Sequence, residues 1–205
     1  MQVFTCKHEM ENYMTDETQQ KIIDATMNLI MEKGYSSTTT KEIARQANVN
    51  ECTIFRKFQG KKDIVLTAMK QKEWCPVLQP EDFSNCTWNL REDLERFARL
   101  YMQRVTARFV KISIGLRSPE LYPDTAGGIM QIPLTFKNGL LTYFEKMNKK
   151  GKLKKADYES LSMAFLSMCF GFVFLKASFE DNLTPLHSEE YIKAGVKAFV
   201  KGIKE

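Results

Sequence analysis

Residues 39 to 58, TTKEIARQANVNECTIFRKF, confine this chain more tightly than any other stretch. Thr39 and Glu42 have the spacing of a capping box, in which the Thr hydroxyl accepts from the amide three residues on and the Glu carboxylate reaches back to the Thr amide. A helix therefore begins near Thr40. Ile43, Ala44 and Ala47 recur at three- and four-residue spacing, a narrow apolar stripe whose small residues admit a neighbouring helix closely. Asn48 tolerates left-handed backbone, Val49 buries in the turn, and Asn50 caps a second helix running from Glu51 to Phe58. Ile54 and Phe58 stand four apart and face inward. Glu51, Cys52, Phe55 and Arg56, with Lys57, look outward.

Two short helices joined by so tight a turn fit a helix-turn-helix, whose second helix lies in the DNA major groove. A plain surface hairpin would fit the spacing equally, and charge separates the two. Residues 41 to 62 hold six cations (Lys41, Arg45, Arg56, Lys57, Lys61, Lys62) against two acids, whereas residues 9 to 32 hold six acids against Lys21 alone. A merely solvated surface mixes the signs. Phosphate contacts supply most nonspecific affinity, so a local basic patch serves even though the whole chain carries only +5.

The segment resembles the DNA-binding domain of the TetR family of transcriptional regulators. The resemblance runs from about residue 18 to 66, through Ile22, Ala25, Leu29, Ile30 and Gly34-Tyr35 to Thr38-Thr39, Ile43-Ala44, Ala47, Val49, Thr53, Ile54-Phe55-Arg56, Phe58 and Lys61. Three positions depart from the family pattern: Asn48 stands for the usual turn Gly, Cys52 for a small residue such as Gly, and Phe55 for Tyr. Phe55 cannot make the phosphate hydrogen bond that a phenol offers in the family, which leaves the backbone to Lys41, Thr53 and Lys61. Arg56 or Lys57, with Glu51 and Cys52, is expected at the groove, because a guanidinium can pair with guanine while Lys more often meets phosphate as a point charge. Thr39, Arg45, Asn50 and Phe55 complete the expected DNA-facing set. Cys52 has two readings, a redox-sensitive thiol at a helix N-terminus beside cations or a small space-filler.

Composition excludes other classes. The apolar share of 43% and charged share of 27% are ordinary for a globular protein. Five scattered cysteines without a Cys-x-x-Cys pair predict a reduced, cytoplasmic chain. His8 and His187 lie at no metal-ligand spacing, so neither a metal nor a cofactor is expected. No phosphate loop, nucleophile elbow or Cys-His pairing occurs, and no enzyme is predicted. Residues 1–14 carry acids and no unbroken apolar core; they are expected to be a flexible extension rather than a signal peptide, with Met10 or Met14 as a possible start.

The periodicity elsewhere is helical, which predicts an all-α protein: a flexible extension (1–14), a three-helix helix-turn-helix domain (15–74), a linker region (75–89) and a helical effector-binding and dimerisation domain (90–205). The first helix is expected from Asp16 to Lys33 with Gly34 as its stop, and the fourth from Lys61 toward Trp74. SPELYPDTAGG, residues 118–128, is expected to be a loop. Leu90, Leu94, Phe97, Tyr101 and Val105 form one stripe, broken near Thr106. The helix from Asp157 to about Phe179 is apolar all round, and its apolar run, cut by Ser162 and Ser167, is too short for a membrane span. It is expected to be covered by its own domain and a second subunit, giving a homodimer that reads palindromic double-stranded DNA about 34 Å from head to head. Ser167, Gly171, Phe174, Tyr191, Val196 and Phe199 are the candidate interface, in the place of the TetR-family C-terminal helix pair.

The family also couples a small-molecule pocket to the spacing of its two heads. Phe97, Tyr101, Met102, Phe109, Leu116, Tyr122, Phe136, Tyr143, Phe165 and Met168 are the candidates for a soft apolar effector pocket, although each taken singly reads first as core. The expectation is a regulator that represses transcription and is released by an apolar or amphipathic effector. The alternatives are a DNA-bound structural or division-control protein without effector and an all-helical enzyme or carrier.

Overall fold

The computed structural model describes residues 16–204; the extension expected at 1–14 lies outside them. Every regular element among the described residues is helical. Asp16 closes a capping box with Gln19 and starts α1 (Glu17–Lys33), which stops at Gly34, where φ is +80°. The Thr39–Glu42 box starts α2 (Thr40–Ala47), and Asn48 ends it in left-handed geometry at φ 54°. Asn50 then caps α3 (Glu51–Lys57) through Cys52 N, 2.9 Å away.

The expected fourth helix is shorter than its periodicity suggested. α4 spans Lys61–Ala68, after which Lys70 N, Gln71 N and Trp74 N each donate to the carbonyl three residues back. This tightening turns Trp74 inward to zero exposure, with the Arg108 guanidinium 3.8 Å above its ring. A straight helix would have continued past that slot.

α1 packs on α2, α4 and also α6 (Ala107–Gly115). The N-terminal core accordingly joins Ile22, Ile30, Ile43, Ile54, Phe58 and Trp74 to Ile112, Leu116 and Leu121 from far down the chain. Gly115 is what allows the approach: a Cβ there would stand 2.5 Å from the Ile30 carbonyl oxygen. Tyr35 N completes the junction by donating to Gly115 O at 3.0 Å.

Residues 75–89 are built into the body. A 3-10 turn at Pro80–Phe83 puts the Phe83 ring against Phe97 and Phe136, in space left by Gly139. Asp93, fully buried on α5 (Leu90–Arg104), accepts from Thr87 N at 2.8 Å, Trp88 N at 2.9 Å and the Tyr143 hydroxyl at 2.9 Å. A buried carboxylate is tolerable when so satisfied.

The loop expected at 118–128 is largely helix. α7 runs from Tyr122 to Lys149, because Pro123 occupies its first turn, where a missing amide costs nothing. α8 (Tyr158–Phe179) is 22 residues, long and apolar enough by length and composition to cross a membrane, so its length does not exclude a span. What it does here is pack one flank, with Phe165, Cys169 and Val173, against α5, α6 and α7. α9 (Ser188–Lys204) lies on α5.

Candidate nucleic-acid interface and effector core

α3 turns Cys52, Phe55 and Arg56 to solvent, and Phe55 is 57% exposed, unusual for a large apolar ring. Lys41 and Arg45 are exposed on α2, and Asn50 is exposed at the turn. Thr53 is half-buried. They are left outside because Ile43, Ala47, Ile54 and Phe58 pull the opposite faces of α2 and α3 into one core.

Several of the expected contacts already have partners inside the chain. Thr39 spends its hydroxyl on Glu42, donating to Oε2 at 2.7 Å and accepting from the Glu42 amide. Lys33, and after it Thr39, hold the Glu42 carboxyl down at a pKa of about 2. Glu51 is half-buried and accepts from Thr40 Oγ1 at 2.6 Å. Lys57 is turned onto Asp16, whose carboxylate it holds below the usual range.

Lys61 differs most from its expected role. Its ammonium donates to Tyr35 O at 2.6 Å and Thr38 O at 2.7 Å and lies 4.0 Å over the Tyr35 ring. Two of its three protons are thus committed to the loop between α1 and α2, and burial lowers its pKa. It is a strut in this conformation, where the pattern had placed a free phosphate contact. Its neighbour Lys62 reaches Asp124 at 2.7 Å, tying α4 to the first turn of α7.

The ten effector candidates divide. Phe97, Tyr101, Phe109, Phe136, Tyr143 and Phe165 are buried in one core, with Met102 and Met168 against its edge. Ring centroids lie 5.1 Å apart for Phe97–Tyr143 and 4.5 Å for Tyr101–Phe136, so these side chains fill the space between α5, α7 and α8. Leu116 belongs to the N-terminal core, and Tyr122 is 42% exposed beneath the Arg117 guanidinium. Neither belongs to the aromatic cluster, and Leu121, between them in the chain, is buried in the N-terminal core as well. A cleft of about 470 Å³ opens at that junction, and none of the ten lines it.

The interface candidates divide as well. Ser167 and Phe174 are exposed and Gly171 is half-buried on the outer flank of α8, together with Met163, Phe170, Leu175 and Phe179. Val196 is completely buried in its own subunit. Tyr191 stacks on Phe172 at 4.1 Å, and Phe199 meets Phe165 at 5.0 Å. Both α9 rings therefore pack within the subunit, because the apolar stripe of α9 is the one that binds it to α8 and α5. The outer side of α9 presents Lys193, Lys197 and Lys201 with Ala194 and Ala198.

Sequence reasoning did not single out Asp93, Gly115, Trp74 or the Asp16–Lys57 pair. Each has a partner 30 or more residues away, Tyr143 in the case of Asp93, that no local spacing signals, although Asp16 is legible as a helix cap.

Comparison with known proteins agrees with this layout. Residues 22–68 match the model of the bacterial regulatory proteins of the tetR family, and residues 89–202 match the C-terminal domain of AefR-like transcriptional repressors. The HTH-type transcriptional regulator YvkB of Bacillus subtilis is 30% identical over 186 residues, 91% of this chain and 97% of YvkB. IcaR, the negative regulator of the biofilm operon icaADBC in Staphylococcus aureus, is 25% identical over 170 residues, 78% of this chain and 84% of its own. Among solved structures, Bacillus subtilis FadR in complex with stearoyl-CoA superposes with a TM-score of 0.63 at 21% identity, covering 90% of this chain and 98% of that one. AibR in complex with isovaleryl coenzyme A and operator DNA gives 0.64 at 20% identity, covering 89% and 97%. With both halves of the chain matched and YvkB similar across nearly its whole length, the chain belongs to the TetR family of helix-turn-helix transcriptional regulators.

Proposed function

We propose that this protein is a cytoplasmic, non-enzymatic repressor that binds a palindromic operator as a homodimer and lets go when an apolar or amphipathic small molecule enters its body. The observation that carries the proposal is the α3 surface, where Cys52, Phe55 and Arg56 project from a helix capped and tied on its other sides. In this reading Arg56 meets a base edge, and Lys41, Arg45 and Thr53 meet phosphates, which is supported by the exposure of Lys41, Arg45 and Arg56. Thr39, Asn50, Glu51 and Lys61 serve in this reading as caps and struts that orient the surface.

The homodimer is supported by the bare apolar flank of α8, which water covers at a cost and a second copy would cover at a gain. The effector is supported by the aromatic core: Tyr101, Phe136 and Phe165 are apolar, and Met102 and Met168 at its edge are deformable enough for a ligand to displace them. The acyl-CoA complexes of FadR and AibR make an acyl chain with a polar head a reasonable first ligand to try. Such a ligand releases DNA only by binding one head spacing more tightly than the other.

A footprint on the DNA flanking the gene, repeated with long- and short-chain acyl-CoA, tests the whole reading. Protection of a two-fold symmetric site that disappears with one acyl-CoA is expected. Absence of any salt-sensitive retention of duplex DNA would sink it.

A further inference from the structure

The recognition helix is tied at both ends by side chains that do not belong to it. At its first turn, Glu51 takes the Thr40 hydroxyl at 2.6 Å. At its last turn, the Lys57 ammonium meets Asp16 Oδ2. Asp16 divides its two oxygens: Oδ1 accepts the Gln19 amide at 2.8 Å and caps α1, while Oδ2 faces Lys57. The Lys57 side chain is only 22% exposed, although its neighbour Arg56 is exposed.

A carboxylate oxygen against an ammonium presents the same chemistry as a DNA phosphate oxygen at that cation. On the reading of α3 as the DNA-contacting helix, we infer that Asp16 is a resident competitor for phosphate at Lys57, a positioning residue that lowers affinity for DNA of any sequence. A cation already neutralised within the protein gathers little extra from a phosphate and releases fewer counterions when it does so. Nonspecific duplex is in large excess in a cell, so weakening it favours search for the operator over idle backbone binding. Cap and competitor are separable, because the cap uses one oxygen and the competition the other.

Asp16→Asn is therefore the informative change: Asn caps a helix about as well as Asp but offers Lys57 no charge. Binding to a non-operator duplex would be titrated with salt for the full chain. Asp16→Asn is expected to steepen the slope of log K against log salt by about 0.9 and to raise low-salt affinity several-fold. Asp16→Ser, which also caps, should do the same. Glu17→Gln removes an equal charge from the adjacent position, where Glu17 pairs with Lys21, and should leave the slope at the wild-type value. In a Lys57→Ala background the Asp16→Asn change should have no effect. An unchanged slope in Asp16→Asn and Asp16→Ser, an equal change in Glu17→Gln, or persistence without Lys57 would each overturn the inference while leaving DNA binding intact. Wild-type protein that retains no duplex at any salt would overturn the DNA-binding reading and this inference with it.

Discussion

The outer faces of α3 and α8 both leave large apolar rings in water, yet they differ in everything around those rings. α3 is seven residues long, and its exposed Phe55 stands beside Arg56, with Lys41 and Arg45 exposed on α2, which packs against it. α8 is 22 residues long and carries no charge from Ser160 to Leu175, so Met163, Phe170, Phe174 and Leu175 form a continuous apolar flank. One surface can be satisfied by a polyanion, the other only by more protein or another apolar phase. Charge within reach of an exposed ring therefore says more about its partner than the ring does.

The sharpest way to break this contrast is to give α8 the charge of α3. Phe170→Lys with Phe174→Lys should convert the dimer to a folded monomer in sedimentation, since neither ring is fully buried in its own subunit. Loss of the second head should then cost about 100-fold or more in operator affinity. A double mutant that remains dimeric would remove α8 from the interface.

On the α3 side, Arg56→Ala should cost about 1–3 kcal/mol on the operator and relax the preference at the base it reads, measured by competition among single-base variants. A uniform loss on all sequences would make Arg56 a phosphate contact instead. Lys61→Ala asks whether a cation near the interface belongs to it. The ammonium braces Tyr35 and Thr38, so the change should lower unfolding stability by about 1–2 kcal/mol while altering the salt slope by less than one phosphate contact. A full unit of slope without loss of stability would restore the phosphate role.

A smaller effect concerns pH. Lys33 and Thr39 depress the Glu42 carboxyl to about 2 in the folded chain, below its ordinary value of 4.5. A depressed carboxyl stabilises the fold above its unfolded pKa and loses that contribution as pH falls toward its folded one. Acid unfolding of Glu42→Gln should thus be flatter than wild type between about pH 4.5 and 2, and identical limbs would contradict the pairing. The smallest change expected is Cys52→Ala: if the thiol only fills space, operator binding stays within about twofold of wild type, in oxidant as in reductant.

Much of the head was legible because its determinants are local. A capping box closes over three residues, Asn48 and Asn50 turn the chain within two, and Ile54 and Phe58 mark the buried side of α3 by a single turn. The stripes of α5 were legible for the same reason, and Leu90, Leu94, Phe97, Tyr101 and Val105 are all buried. Apolar periodicity says that a face is covered without saying by what. Leu116 and Val196 were therefore given to a ligand and a partner, when the first fills the head core and the second its own subunit. Cations have the same ambiguity: Lys41, Lys57 and Lys61 look alike in sequence, yet one is free, one is on Asp16 and one braces a loop.

Helix starts, the turn and the segregation of charge follow from contacts between residues a few positions apart, so the amino-acid order alone was enough for them and for the family. Which cations remain available to DNA, which apolar residues remain available to a second copy, and how closely α6 approaches α1 depend on partners distant in the chain, such as Tyr35 for Lys61, 26 residues away, and Asp16 for Lys57, 41 residues away. Those assignments exist only after the helices have packed, because each is settled by competition for a position in space.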